Sequence, residues 1–130
     1  MAYSSDESGQ VQVYVQPVPA TGAKRQISTQ GGSGPRWRRD GKELYYISAD
    51  AQLTAVPMKF GAGTFDVGAP LRLFERSLAT SRTSTADFDR RILYQPSADG
   101  QKFLALVPAD GATGAPPVTI WMNWMAGLNR

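Results

Sequence analysis

Pro35-Arg36-Trp37-Arg38-Arg39-Asp40-Gly41-Lys42-Glu43-Leu44-Tyr45-Tyr46-Ile47-Ser48 is the stretch that decides the fold. An Asp-Gly pair stands between two runs of strand-forming composition. Gly accepts positive φ and Asp tolerates the left-handed region, so Asp-Gly between strands is a strong hairpin signal. The same frame returns at Tyr94-Gln95-Pro96-Ser97-Ala98-Asp99-Gly100-Gln101-Lys102-Phe103-Leu104-Ala105-Leu106-Val107. Asp40 and Asp99 lie 59 residues apart. Each frame gives a strand, a tight turn and an apolar strand.

Outward from these frames the chain keeps a short period. Val11, Val13 and Val15 alternate with polar or aromatic partners and share one face. Pro17 and Pro19 end that run. Glu43 to Ser48 and Lys102 to Val107 are apolar on both faces, as strands covered on both sides are. Leu53 to Met58 alternates again, and so does Val118 to Trp124, where Val118, Ile120, Met122 and Trp124 share one face. The gaps hold many of the 13 glycines and 9 prolines. Helical periodicity nowhere outlasts a turn or two; Met125 to Leu128 could make one helical turn. The fold class is all-β.

Composition sets the limits. The 130 residues suffice for one ordinary domain with a real core. Apolar residues make up 42% and charged residues 19%, a globular balance. No apolar stretch approaches the length of a membrane span, so no membrane insertion by this chain is expected. No charged segment followed by an apolar one opens the chain, so no signal peptide is read there. The first residues already read as a strand, which suggests a piece of a longer polypeptide. Cysteine and histidine are both absent. Ser-His-Asp and Cys-His catalysis need an imidazole, and the usual zinc sites need Cys or His, so neither is expected. The formal charge of +3 is too weak to argue for a nucleic-acid partner without a clustered groove.

The frame PRWRRDGKELYYIS, followed by a strand and then by PLRLFE, resembles the repeats of TolB-like, WD-repeat-like β-propellers. More narrowly, YSSDESGQVQVYVQPVP, the GPRWRRDGKELYY frame and the closing IWMNWMAGLNR resemble the C-terminal propeller of bacterial, notably acidobacterial, serine/threonine protein kinases. Arg38-Arg39 and Ser97-Ala98 stand where that family usually carries Ser-Pro. The resemblance implies about three four-stranded antiparallel blades, the first and last incomplete. Blade one would span about residues 1–30, blade two about 31–76 and blade three about 88–125. A blade usually repeats at about 40–45 residues. The longer interval here leaves Gly61 to Pro70 and Arg76 to Asp89 as loops.

Strands are accordingly expected at Ala2–Ser5, Val11–Val18 and Arg25–Ser28, then at Pro35–Arg38, Glu43–Ser48, Leu53–Lys59 and Leu71–Phe74. Three more are expected at Arg91–Gln95, Lys102–Val107 and Val118–Trp124. The resemblance also implies a kinase domain, a membrane helix and earlier blades upstream, and an extracytoplasmic location. No Gly-rich phosphate loop and no His-Arg-Asp loop appears, so kinase activity does not carry over. The implied function is a non-catalytic propeller module that binds a protein or a small ligand. The alternative is an accessory propeller gating substrate to a tricorn-like or prolyl-oligopeptidase-like hydrolase. The closing NWMAGLNR, which reads as a C-terminus, disfavours that alternative.

Few residues suggest chemistry. Asp40-Gly41 and Asp99-Gly100 read as turns before they read as ligands. Asp87 and Asp89 would face one way on a strand, but calcium wants about six oxygens and no loop pattern supplies them. Arg36, Arg38, Arg39 and Lys42 flank Trp37, as basic residues flank an aromatic in single-strand binders. An ordinary blade edge, with arginine stems lying over Trp37, explains the same pattern. Arg36, Arg38, Arg39 and Trp121 are therefore kept only as candidate surface-binding residues. Trp121 and Trp124 would sit on opposite faces of a strand. Ser77 to Thr85 reads as a polar loop. No catalytic, cofactor or metal site is assigned. Trp37 and Tyr46 are expected to lie buried between sheets. Fewer than four blades leave open faces, expected to expose Val13, Tyr46, Leu104 and Trp121. A homodimer that completes a ring is the expected remedy.

Overall fold

The computed structural model describes residues 1–19, 22–62, 64–74, 78, 94–106 and 118–122, with backbone alone at 106 and 118–122. Among them eleven strands form three antiparallel sheets, and no helix occurs. None of the sheets closes on itself. The first sheet is β1 (Ala2–Ser5), β2 (Gln12–Val15) and β3 (Arg25–Gln26), in that order. The second runs β4 (Gly32–Trp37), β5 (Glu43–Ser48) and β6 (Leu53–Phe60), with β7 (Phe65–Val67) and β8 (Leu71–Arg72) both pairing with β6. The third is β9 (Tyr94–Pro96), β10 (Lys102–Leu106) and β11 (Val118–Met122), with β10 in the centre.

The second sheet is a meander of four strand positions. Met58 stands opposite Val67 and Phe60 opposite Phe65, while Thr54 stands opposite Arg72 and Ala55 opposite Leu71. β7 and β8 thus form one returning edge whose register slips across 68–70. The Gly68 amide still donates to the Pro57 carbonyl at 2.8 Å. This corrects the loop expected over Gly61–Pro70. Phe65-Asp66-Val67 does alternate, but Gly61, Gly63, Gly68 and Pro70 around it read as turn punctuation. A pre-existing β6 edge supplies the pairing that three residues alone cannot hold.

β4 begins earlier than Pro35 because Gly32 and Ser33 pair with Ser48 and Ile47. The register then shifts between Ser33 and Arg36, around Gly34 at φ +59°. A bulge at Gly34-Pro35 suits a residue that accepts positive φ beside one without an amide hydrogen. Elsewhere the strand ends move by one to three residues. β2 stops at Val15, β3 at Gln26, and β9 extends to Pro96. Residues 91–93, 107 and 123–124 of the expected strands lie outside the described residues.

Two cores flank the second sheet. Leu44 and Tyr46 of β5 and Val56 and Met58 of β6 pack with Val13, Val15 and Ile27 of the first sheet and its edge. The alternate residues, Tyr45 and Ile47 of β5 and Leu53 and Ala55 of β6, pack with Leu73, Phe74, Tyr94, Phe103 and Ala105. One strand therefore serves two cores, which is why β5 is apolar on both faces. Each large apolar side chain buried this way contributes about 1.5–3 kcal/mol.

The expectation of exposed faces is corrected for two residues. Val13 is fully buried and Tyr46 is 6% exposed, because both face the core between the first and second sheets. Leu104 does lie open, at 44% exposure, on the side of β10 away from Phe103. Tyr46 is buried as expected, whereas Trp37 is only partly buried against the edge of its core. The outer face of the first sheet carries Tyr3 stacked on Tyr14. The Lys24 ammonium lies 5.0 Å from the Tyr14 ring centre and pairs with Glu7.

Candidate functional site

The two Asp-Gly turns have the same hydrogen-bond plan. The Arg38 amide donates to the Glu43 carbonyl at 2.9 Å and the Ser97 amide to the Lys102 carbonyl at 2.8 Å. Gly41 and Gly100 sit at φ +72° and +70°. Asp40 Oδ1 accepts from the Lys42 amide at 2.9 Å, and Asp99 Oδ1 accepts from the Gln101 amide at 3.0 Å. Both carboxylates are thus turn caps. The Ser97 hydroxyl, and then the Gln101 amide, hold Asp99 below its usual pKa.

Strand alternation decides what the basic cluster can do. Arg36 stands opposite Tyr45, and Trp37 opposite Leu44. Tyr45 belongs to one core and Leu44 to the other. Arg36 and Arg38 therefore lie on one face and Trp37 on the other, so the arginine stems do not cover Trp37. Trp37 packs instead on Phe60, with ring centres 5.8 Å apart. The interleaving that a stacking platform for bases needs is not made there.

Arg38 is committed within the fold. Its Nη1 lies 3.4 Å from Glu43 Oε2 and its Nε 3.3 Å from Asp40 Oδ2. The buried Nε makes no hydrogen bond, so the approach to Asp40 is an ion contact of poor angle. Glu43 Oε2 also accepts from the Tyr45 hydroxyl at 2.8 Å. Burial, and then this bond to Glu43, push the Tyr45 hydroxyl far above its usual pKa. Arg39 is exposed and Arg36 half-buried. Of the candidate residues, Trp121 has its backbone opposite Phe103, and its side chain lies outside the described residues.

The second Asp-Gly turn closes on this cluster. A Cβ at Gly100 would stand 2.5 Å from the Tyr45 hydroxyl and 3.1 Å from Arg38 Cδ. The Tyr94 hydroxyl donates to the Gly34 carbonyl at 2.7 Å. Sequence reading missed the Arg38–Glu43–Tyr45 cluster, formed on one face of the second sheet, and its closure by Gly100, which comes only when the third sheet docks there.

Two concavities open at opposite ends of the first two sheets. One, of about 420 Å³, is lined by Asp6, Gln10, Val11, Gly31, Ser33 and Ile47 among others. The other, of about 590 Å³, is lined by Val15, Pro17, Trp37, Phe60 and Phe65 among others. Asp87, Asp89, Trp124 and the segment 77–85, except Leu78, lie outside the described residues. Among the described residues, no three His, Cys, Asp or Glu side chains gather as a metal site. No helix there is long and apolar enough to cross a membrane. No protein-family model matches the chain, and no curated protein matches it.

Proposed function

We propose that the chain is a segment of a TolB-like β-propeller that acts as a non-catalytic binding module, the extracytoplasmic part of a serine/threonine kinase-like protein. One observation carries the reading. The second sheet is a four-position antiparallel meander with both faces buried, one against the preceding sheet and one against the following sheet. Face-to-face stacking of consecutive meanders is how propeller blades pack. The shared plan of the turns at Asp40-Gly41 and Asp99-Gly100 supports the same reading. A propeller binds its partner, a protein or small ligand, on end loops and at the channel mouth, an argument by fold analogy.

The flanking coding sequence tests the proposal. A kinase domain and a membrane helix encoded upstream is the expected result. A Ser-Asp-His hydrolase domain encoded downstream overturns it. With two to three blades per chain, two copies reach the four to eight blades of a closed ring. A homodimer is therefore part of the proposal.

A further inference from the structure

We propose that the concavity of about 590 Å³ at the Trp37 end of the first two sheets binds an extended acidic peptide, seating an aromatic side chain flanked by carboxylates. The inference rests on the binding-module reading and adds the chemistry of the partner. The volume lies in the range of ligand-binding clefts.

The floor is aromatic. Trp37, Phe60 and Phe65 stand in a row, with ring centres 5.8 Å apart from Trp37 to Phe60 and 6.1 Å apart from Phe60 to Phe65. Pro17 and Val18, just beyond β2, border the row from the first sheet. Among the described residues five large apolar side chains are exposed, and three of them, Met1, Val18 and Phe60, border this concavity. Apolar surface gathered in one open place marks an interaction site.

Strand alternation sets the charges around the row. Arg25 stands opposite Val15, which faces the core between the first two sheets, so Arg25 turns the same way. Its guanidinium carbon lies 5.9 Å from the Phe65 ring centre, and Nη1 donates to the Phe65 carbonyl at 2.9 Å. At the other end of the row, the Lys42 carbonyl accepts from the Met58 amide at 2.8 Å. Lys42 precedes Leu44 by two residues, and Leu44 and Met58 face the same core, with Trp37 opposite Leu44. Lys42 therefore shares the face of Trp37. Arg25 and Lys42 are both exposed, and neither makes an ion pair among the described residues.

The acids of this end do not cancel them. Glu43 and Asp66 alternate to the opposite face from Leu44 and Phe65, and Asp40 and Glu43 are engaged by Arg38. Among the described residues no Asp or Glu lines the concavity. Two cations beside an uncharged aromatic row complement an anionic partner. Alternate side chains of an extended peptide stand about 6.6 Å apart on one face, close to the ring spacing of the row. A segment Asp-x-Phe-x-Asp thus sets its phenyl ring against the row and turns one carboxylate to Arg25 and the other to Lys42. An aromatic anchor seated in a pocket with a charged rim is how peptide binding energy is concentrated. A flat anionic bilayer has no knob to fill a hollow, so the shape favours a peptide.

Amide chemical-shift titration of the whole chain tests this, with the blocked peptide Thr-Asp-Thr-Phe-Thr-Asp-Thr as the probe. Saturable shifts at Val18, Trp37, Phe60 and Phe65 are expected. Asn in place of both peptide Asp residues, or Ala in place of the peptide Phe, should weaken binding by about tenfold or more. Phe60→Ala in the protein should do the same; Phe60 is 60% exposed, so the free protein keeps a dispersed amide spectrum. The double variant Arg25→Glu, Lys42→Glu should reverse the preference and bind a peptide with Lys at both Asp positions more tightly than the Asp peptide. Misfolding produces no such reversal. Absence of saturable shifts at millimolar peptide, equal affinity for the Asn peptide, or a preference that does not reverse overturns the proposal. Shifts at the same amides with phosphatidylglycerol vesicles and none with the peptide assign the face to a membrane and overturn it too. Any of these failures leaves the binding-module reading standing, because the flanking coding sequence tests that reading separately.

Discussion

Tyr94 and Gly34, 60 residues apart in sequence, are joined by a hydrogen bond of 2.7 Å from the phenol hydroxyl to the glycine carbonyl. Tyr94 is 3% exposed on β9 and Gly34 forms the bulge of β4, so the bond ties the third sheet to the inner edge of the second. Tyr94→Phe keeps the ring and its packing and leaves the carbonyl unpaired. It should destabilise the protein by about 1–3 kcal/mol in urea unfolding. An unchanged midpoint would show that the two sheets do not need this tie.

Alkaline stability follows from the same residue and from Tyr45. Burial is the first cause that raises both hydroxyls above the ordinary value of 10.0, and Tyr45 adds its bond to Glu43. A group whose pKa is raised on folding contributes stability that is complete below its unfolded value and lost above it. Stability should therefore hold up to about pH 10 and fall as the pH rises further. Absorbance titration should show these two phenols ionising only with unfolding. Reversible ionisation of all five tyrosines in the folded protein near pH 10 contradicts this.

The two turn glycines should respond differently to the same change. Both have positive φ, so alanine strains each backbone by about 1 kcal/mol. At Gly41 a Cβ meets nothing within 4 Å, whereas at Gly100 it collides with the Tyr45 hydroxyl at 2.5 Å. Gly100→Ala should lower the thermal midpoint clearly more than Gly41→Ala. Equal losses would mean that the second turn does not press on the Arg38–Glu43–Tyr45 cluster.

Trp37→Ala should cost about 1–2 kcal/mol, less than the 3–5 kcal/mol of a fully buried aromatic, because Trp37 only edges its core. Its partner Phe60 is itself 60% exposed. A loss above that range in chemical unfolding would show that another copy covers the indole in solution.

Assembly is measured by light scattering at micromolar concentration. The proposed ring predicts twice the chain mass of 14.1 kDa. Leu104 on the open side of β10 marks a face for the join. Leu104→Glu should then shift the protein toward the monomer. A monodisperse monomer of the unaltered chain ends the dimer proposal.

Much of the fold was written in period-two patterns. Leu44 to Ile47 is apolar without interruption, and that alone demanded a strand with two covered faces. The Asp-Gly pairs marked their hairpins because only a few residue types tolerate those backbone angles. Phe65 to Val67 escaped notice, since three alternating residues between glycines carry no signal without the β6 edge beside them. The site was less legible. Arg36, Arg38 and Trp37 look like one cluster in sequence, yet the pleat sends them to opposite faces.

The sequence by itself determined the all-β class, the two Asp-Gly hairpins and the central strand that faces two cores. These are local facts, set by backbone sterics and by which residues leave water. The tertiary structure alone decided that Tyr94 reaches Gly34, that Gly100 presses on Tyr45, and that Arg25 lies over Phe65. Each of those contacts joins segments far apart in the chain. Their approach depends on how whole sheets dock, and no local pattern encodes a docking distance.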